Sequence, residues 1–445
     1  MKMKLLSLLI ASACAGTMPS AFAADDAAIL KRLDHLEAQR KADQAEITAL
    51  RNKVQQLETQ KPQAAAGVSS DEAAKLHEEI VNVEKKSASR VDSVKRTLDA
   101  ERDKLKINGY MSVYGVKATD RALTLGSGVD NQINFKSDTV AAVQFDYQLT
   151  DRVNAVVQLQ SAGKNNYDLK APWAFLGYKL TDSTKIRAGR MVVPNYLYAD
   201  SIDVGYTYPW VRPPIEMYGV DAIEYQGVDV LQSFNFGGWN NTLQVFFGDL
   251  GGDNSGYSLH SSYGTGAGVT LNNDAWTLRA SATHAEGLTL DPTLAAFKGN
   301  INYFSAAVRY DNGALFALVE GKQVRVSGDL DKLTPDTDGF YTTLGYQIGE
   351  FMPYATWAKA YSVNDADMIG VNPKQHVQST GIGLRYNLNE KVVLKGEATK
   401  YDHFNGTLGA SGLAAVPFGR LATDTAQGLD KDGATVMSLG FDAIF

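Results

Sequence analysis

From Ile107 to Phe445 apolar and polar residues alternate, the period of strands with one apolar face. Sixteen runs carry the pattern: 107–117, 139–149, 152–161, 172–180, 184–192, 221–236, 239–248, 264–272, 275–285, 301–311, 314–326, 338–348, 351–361, 376–387, 391–402 and 434–445. In the last run Met437, Leu439, Phe441, Ala443 and Phe445 share one face, opposite Val436, Ser438, Gly440, Asp442 and Ile444. The connections alternate between short and long. Thr150-Asp151, Thr181-Asp182-Ser183, Gly237-Gly238, Asn273-Asp274, Asn312-Gly313, Gly349-Glu350 and Leu388-Asn389-Glu390 have hairpin-turn composition. The segments 118–138, 162–171, 193–220, 249–263, 286–300, 327–337, 362–375 and 403–433 are long. Seven tight turns facing eight long loops predict an all-β, 16-stranded antiparallel transmembrane barrel over 107–445, with both of its ends on the short-turn side. The free edge of the final strand needs strand one as a partner, and its terminal Phe445 reads as an assembly signal for barrel-assembly machinery.

Residues 24–106 follow a different rhythm. They hold no aromatic residue and no glycine except Gly67. Ile29, Leu33, Leu36, Ile47, Leu50, Val54 and Leu57 fall at heptad spacings, with Arg40 and Asp43 at core positions between them, which predicts an α-helical coiled coil over 24–60. The 61–70 segment, with Pro62 and Gly67, reads as a linker. Ser69 and Glu72 have capping-box spacing for a second helical segment, 71–106, whose apolar positions are Leu76, Ile80, Val83, Val94, Leu98 and Leu105. The step from Val83 to Val94 breaks the heptad and would locally unwind a left-handed coil.

The amino-terminus fixes the compartment. Lys2 and Lys4, an apolar Leu5 to Ala15, and Ala21-Phe22-Ala23 have the layout of a cleaved signal peptide over 1–23. Cys14 raises a lipoprotein alternative, although Ala11 stands three residues before it, where leucine is usual. Cleavage removes the only cysteine, so neither a disulfide nor a cysteine-ligated metal is expected, and no other metal or cofactor site is read. Losing Lys2 and Lys4 takes the formal charge from −7 to −9, which argues against nucleic acid as a partner. No run of apolar residues is long enough for a transmembrane helix.

Parity assigns the wall. Ala141, Val143, Phe145, Tyr147 and Leu149 face outward, as do Val153, Ala155, Val157 and Leu159, and Ile382, Leu384, Tyr386 and Leu388. The inward set includes eight basic residues, Arg152, Lys185, Arg187, Arg279, Arg309, Lys322, Arg385 and Lys395, against four acidic ones, Asp146, Glu320, Glu397 and Asp442. A wall four charges positive in an acidic chain lowers the barrier for anions, and an arginine fork can hold a carboxylate through two hydrogen bonds. A competing reading pairs these bases with neighbouring acids, Lys395 with Glu397 for example. The 193–220 loop carries Tyr196, Tyr198, Tyr206, Tyr208, Trp210 and Tyr218, which a loop in water has little reason to hold. Folded back, it narrows the channel as a constriction loop, with Asp200, Asp203, Arg212 and Glu216 at the eyelet edge. An external lid or a subunit contact is the alternative.

The 16-strand pattern, the WAFLGYKL…KIRAGR stretch from Trp173 to Arg190, this third loop and the terminal Phe445 resemble the trimeric porins of Gram-negative bacteria. A coiled-coil extension joined to such a barrel resembles the DcaP-type porins of Acinetobacter and relatives. The resemblance implies a homotrimer in the outer membrane, in contact with lipid and lipopolysaccharide, each subunit a diffusion channel for small anionic solutes, dicarboxylates especially. It also implies a route for negatively charged β-lactam-like drugs and an extension that projects into the periplasm towards the peptidoglycan. A tether between outer membrane and cell wall, with a non-selective pore, is the alternative. An enzyme is not expected: His35, His77, His260, His284, His376 and His403 have no recognisable serine or paired-carboxylate partners.

Overall fold

The computed structural model describes residues 104–445 apart from 120–122, 126–128, 219–223, 255–256, 292–293, 333–334, 365–375, 406–420 and 424–432, together with scattered residues between Ala38 and Arg96. The chain divides into two units, Met1–Asp103 and Lys104–Phe445. In the first, the described residues are helical. The signal-peptide reading, the linker and the coil's apolar positions from Ile29 to Leu57 lie outside the described residues.

The second unit is a closed antiparallel barrel. Its sixteen strands are β1 Leu105–Ala118, β2 Val140–Thr150, β3 Val153–Ala162, β4 Leu169–Lys179, β5 Thr184–Val192, β6 Glu224–Phe236, β7 Trp239–Asn254, β8 Tyr263–Asn272, β9 Trp276–Asp291, β10 Leu294–Asp311, β11 Leu315–Gly328, β12 Thr337–Tyr346, β13 Phe351–Ser362, β14 His376–Asn387, β15 Val392–Asn405 and β16 Gly433–Ile444. Each pairs with its sequence neighbour, and β16 closes on β1 from Tyr110↔Ile444 to Ala118↔Val436. Leu105, expected at the end of the second helix, opens β1 instead, because its backbone pairs with Tyr147 of β2. Short strands at Tyr257–His260, and at Leu123–Leu125 paired with Leu421–Thr423, extend the long-loop side.

The two faces of the wall separate as the period-two pattern requires. Leu439 is 72% exposed, Ile382 64% and Leu344 59%, while Ser438, Ser379 and Thr343, on the opposite face of the same strands, are buried, so the apolar side looks out and the packed side looks in. No strand of the closed ring has an open edge, which a structure inside hydrocarbon needs. Phe445 completes the seam through hydrogen bonds in both directions with Gly109, of 2.8 and 2.9 Å.

Gly440 makes room at that seam. A Cβ there would sit 2.6 Å from Cδ1 of Tyr114, whose hydroxyl donates to Asp442 at 2.7 Å. Gly396 faces outward, where its nearest neighbour would be Leu439 at 3.5 Å. Gly440→Val is therefore expected to abolish the fast-migrating folded form in unheated SDS gels, while Gly396→Ala retains it. Equal retention by both variants would show that the seam tolerates a side chain there.

Candidate functional site

The connection after β5 turns into the barrel. Prolines 194, 209, 213 and 214 prevent it from continuing as a strand, and it runs through turns at Ala199–Ser201 and Gly205–Thr207 to a single helical turn, Ile215–Tyr218. Tyr196, Tyr198, Tyr208, Trp210 and Tyr218 are buried against Tyr303, Phe316, Leu318, Tyr341 and Tyr354 of the inner wall. The Trp210 ring meets Tyr198 edge-on at 5.8 Å and Tyr341 at 5.4 Å, and its indole N–H donates to Thr343 and Thr356. Five buried rings supply the apolar area that holds the loop inside. Tyr206 stays partly exposed and donates to the Glu390 carbonyl in the short turn between β14 and β15.

Wall charges bind the loop's backbone. Lys395 Nζ lies 2.8 Å from Asp442 Oδ2 and donates to the carbonyls of Gly205 at 2.6 Å and Trp210 at 2.7 Å. Arg385 donates to the carbonyls of Tyr206 and Tyr208, Lys322 to that of Met217, and Arg279 to that of Pro194. The acids answer in kind: Glu320 accepts from Leu197 N, Tyr218 Oη and Tyr341 Oη, and Glu397 accepts from Val211 N and Tyr354 Oη. These are charge-assisted bonds in a confined space, stronger than neutral ones.

This arrangement revises the expected eyelet edge. Arg212 is buried rather than at the edge, paired with Asp138 at 2.7 Å and bonded to Ser438. Burial opposes its charge, but Asp138 overrides that and raises the guanidinium pKa. Glu216 is also fully buried, because the helical turn packs flat against β11, β12 and β13. Asp203 accepts from Gln160 of β3 at 2.9 Å and lies 3.6 Å from Lys164, so the loop also touches the wall of β3. Asp200 is open to solvent within the lumen yet surrounded by protein; this confinement raises its carboxyl pKa, opposed by Arg279 and then Arg187. A polar cleft, continuous with solvent, lies among Ser112, Asp138, Lys164, Asp203, Tyr208 and Arg212.

Of the eight basic residues assigned to the wall, Arg152 departs from it: it stands exposed in the turn between β2 and β3. The other seven come from β5, β9, β10, β11, β14 and β15. Lys322 and Lys395 are buried beneath the loop, and the partner of Lys395 is Asp442 on the adjoining strand, not Glu397. Arg187 pairs with Asp229, its Nε 3.0 Å from Oδ1. Among the described residues Lys185, Arg279, Arg309 and Arg385 have no carboxylate within salt-bridge distance; Arg309 donates to Thr277 at 3.0 Å, and Arg279 to Thr270 at 2.7 Å.

Asp229 was not among the expected inward acids, although its place between Val228 and Val230 carries the signal. With Arg152 removed and Asp229 added, the expected set becomes seven bases against five acids, an excess of two instead of four. The inward rings Trp173 and Phe175 were also missed. Both lie under the Arg187 guanidinium, at 5.6 and 5.2 Å, and Phe175 lies 5.7 Å from Lys185 Nζ.

No protein-family model matches the chain, and no curated protein matches it. Solved structures do. An anion-selective porin from Comamonas acidovorans superposes with a TM-score of 0.50 at 13% identity, over 77% of this chain and 99% of that one. OmpF of Salmonella typhi, in complex with daunomycin, gives a TM-score of 0.51 at 12% identity, over 77% and 97%. The fold is that of a porin barrel. At these identities the porin likeness extends to architecture alone, and the side chains above stand on their own geometry.

Lys395→Met strands Asp442 in a buried site and removes two loop anchors, so it is expected to cost about 3–5 kcal/mol of stability. Equilibrium unfolding in detergent, followed by tryptophan fluorescence, measures this. Adding Asp442→Leu should recover most of the loss, whereas an additive double variant would refute the pairing.

Proposed function

We propose that the chain is an outer-membrane diffusion channel for small anionic solutes, dicarboxylates among them, with residues 193–220 as its constriction. The observation that carries this reading is the set of inward cations, Lys185, Arg279, Arg309 and Arg385, that have no carboxylate within salt-bridge distance among the described residues. They line the inside of a closed barrel whose outer face is apolar. An ion entering a narrow pore loses part of its water shell, and unneutralised fixed charge offsets that loss for ions of opposite sign. Arg279 and Arg309 lie on the adjacent strands β9 and β10, so two positive charges fall close together on one part of the wall. Negatively charged antibiotics of similar size take the same path. In this reading the protein works as a homotrimer with one pathway per subunit, and its helical extension lies in the periplasm.

The test is the reversal potential of the purified protein in a planar bilayer under a KCl gradient. Anion preference is expected, and Arg279→Gln combined with Arg309→Gln should shift the potential towards the cation side while the channel still conducts. Cation preference in the unmodified protein would contradict the reading.

A further inference from the structure

The constriction loop contains a group that neither the barrel nor the anion path requires. Glu216 sits in the Ile215–Tyr218 turn with no exposed surface, and neither of its carboxylate oxygens has a hydrogen-bond partner at bonding geometry. A buried carboxylate without partners is costly as an anion and tolerable as a neutral acid. The turn rests on β11, β12 and β13. From β11 come Lys322, whose ammonium is committed to the Met217 carbonyl, and Glu320, which is engaged by Leu197, Tyr218 and Tyr341. β12 contributes Tyr341, and Gly339, whose missing side chain lets the Glu216 carbonyl approach; β13 contributes the apolar Ala358 and Ala360. Tyr401 of β15 and Arg212 of the loop complete the charged surroundings, and Arg212 already holds Asp138.

We propose that Glu216 is a proton-controlled latch: its neutral form keeps the 213–218 limb docked on the wall, and its ionisation releases that limb into the lumen. The inference rests on the channel reading above. Burial, the largest influence, pushes the Glu216 carboxyl up to about 7 from an ordinary 4.5, while Ser379 and Lys322 stand close enough to oppose the shift. The docked state thus binds the proton more tightly than the released one. Docking is strongest below the ordinary value and is lost as pH rises through about 7. The wall lies behind the limb, so release can only move it towards the aperture, and the channel closes more often.

Single-channel recordings between pH 5 and 9 test the latch. In the unmodified protein, brief closures are expected to become several-fold more frequent, with a midpoint near pH 7. Glu216→Gln, a permanently neutral isostere, should stay quiet throughout. A closure rate independent of pH in a conducting wild-type channel would overturn the latch while leaving the channel reading intact, and so would a Glu216→Gln profile that follows the wild type. Absence of any conductance would overturn both.

Discussion

The ammonium group of Lys395 meets three acceptors at once: Asp442 on the neighbouring strand and the carbonyls of Gly205 and Trp210 on the loop. None of the four residues could be read alone. Asp442 is buried and needs a counter-charge; Lys395 is buried and needs acceptors; the loop has left the ladder and needs donors. Each deficit is met by another, and the result fixes the loop across the barrel at its closing seam. Tyr114, reaching from β1 to the same Asp442, ties barrel closure to loop placement.

The basic wall therefore has two roles. Lys322, Lys395 and Arg385 hold loop carbonyls, and the first two have no exposure left to offer a solute. Arg279 bonds the Pro194 carbonyl and acts on the Asp200 carboxylate from beyond salt-bridge distance. Of the inward cations without a salt bridge among the described residues, Lys185, Arg279 and Arg309 lie on β5, β9 and β10 and Arg385 on β14.

Strand number, order and facing were legible in the sequence because one face of each strand meets lipid, and a period of two survives small errors in the ends. The loop's inward course was legible from Tyr196, Tyr198, Tyr208 and Trp210, whose rings need cover. The partners were not. That Lys395 meets Asp442 instead of Glu397 depends on the diagonal between β15 and β16, a matter of register that no single strand reveals. Arg212 and Glu216 look like solvent-seeking edge residues in a list, but the Pro213-Pro214 pair and the helical turn press them against the wall. Arg152 was assigned inward by parity, which ends where the turn begins. Asp229 carried a readable signal that parity should have caught, and Trp173 and Phe175 look like membrane-facing aromatics until the fold turns them inward.

The loop is bonded flat to the inner wall, with Asp200 exposed and Met217 buried against the barrel. Cysteine substitution at each position, probed with a negatively charged thiol reagent during bilayer recording, tests this directly, since the sequence holds no cysteine besides Cys14. Asp200→Cys is predicted to react within the open channel and lower the current in steps, while Met217→Cys, buried at 0% exposure, remains unmodified at pH 6. Equal reaction at both positions, or modification of Asp200→Cys without any change in current, would contradict the account.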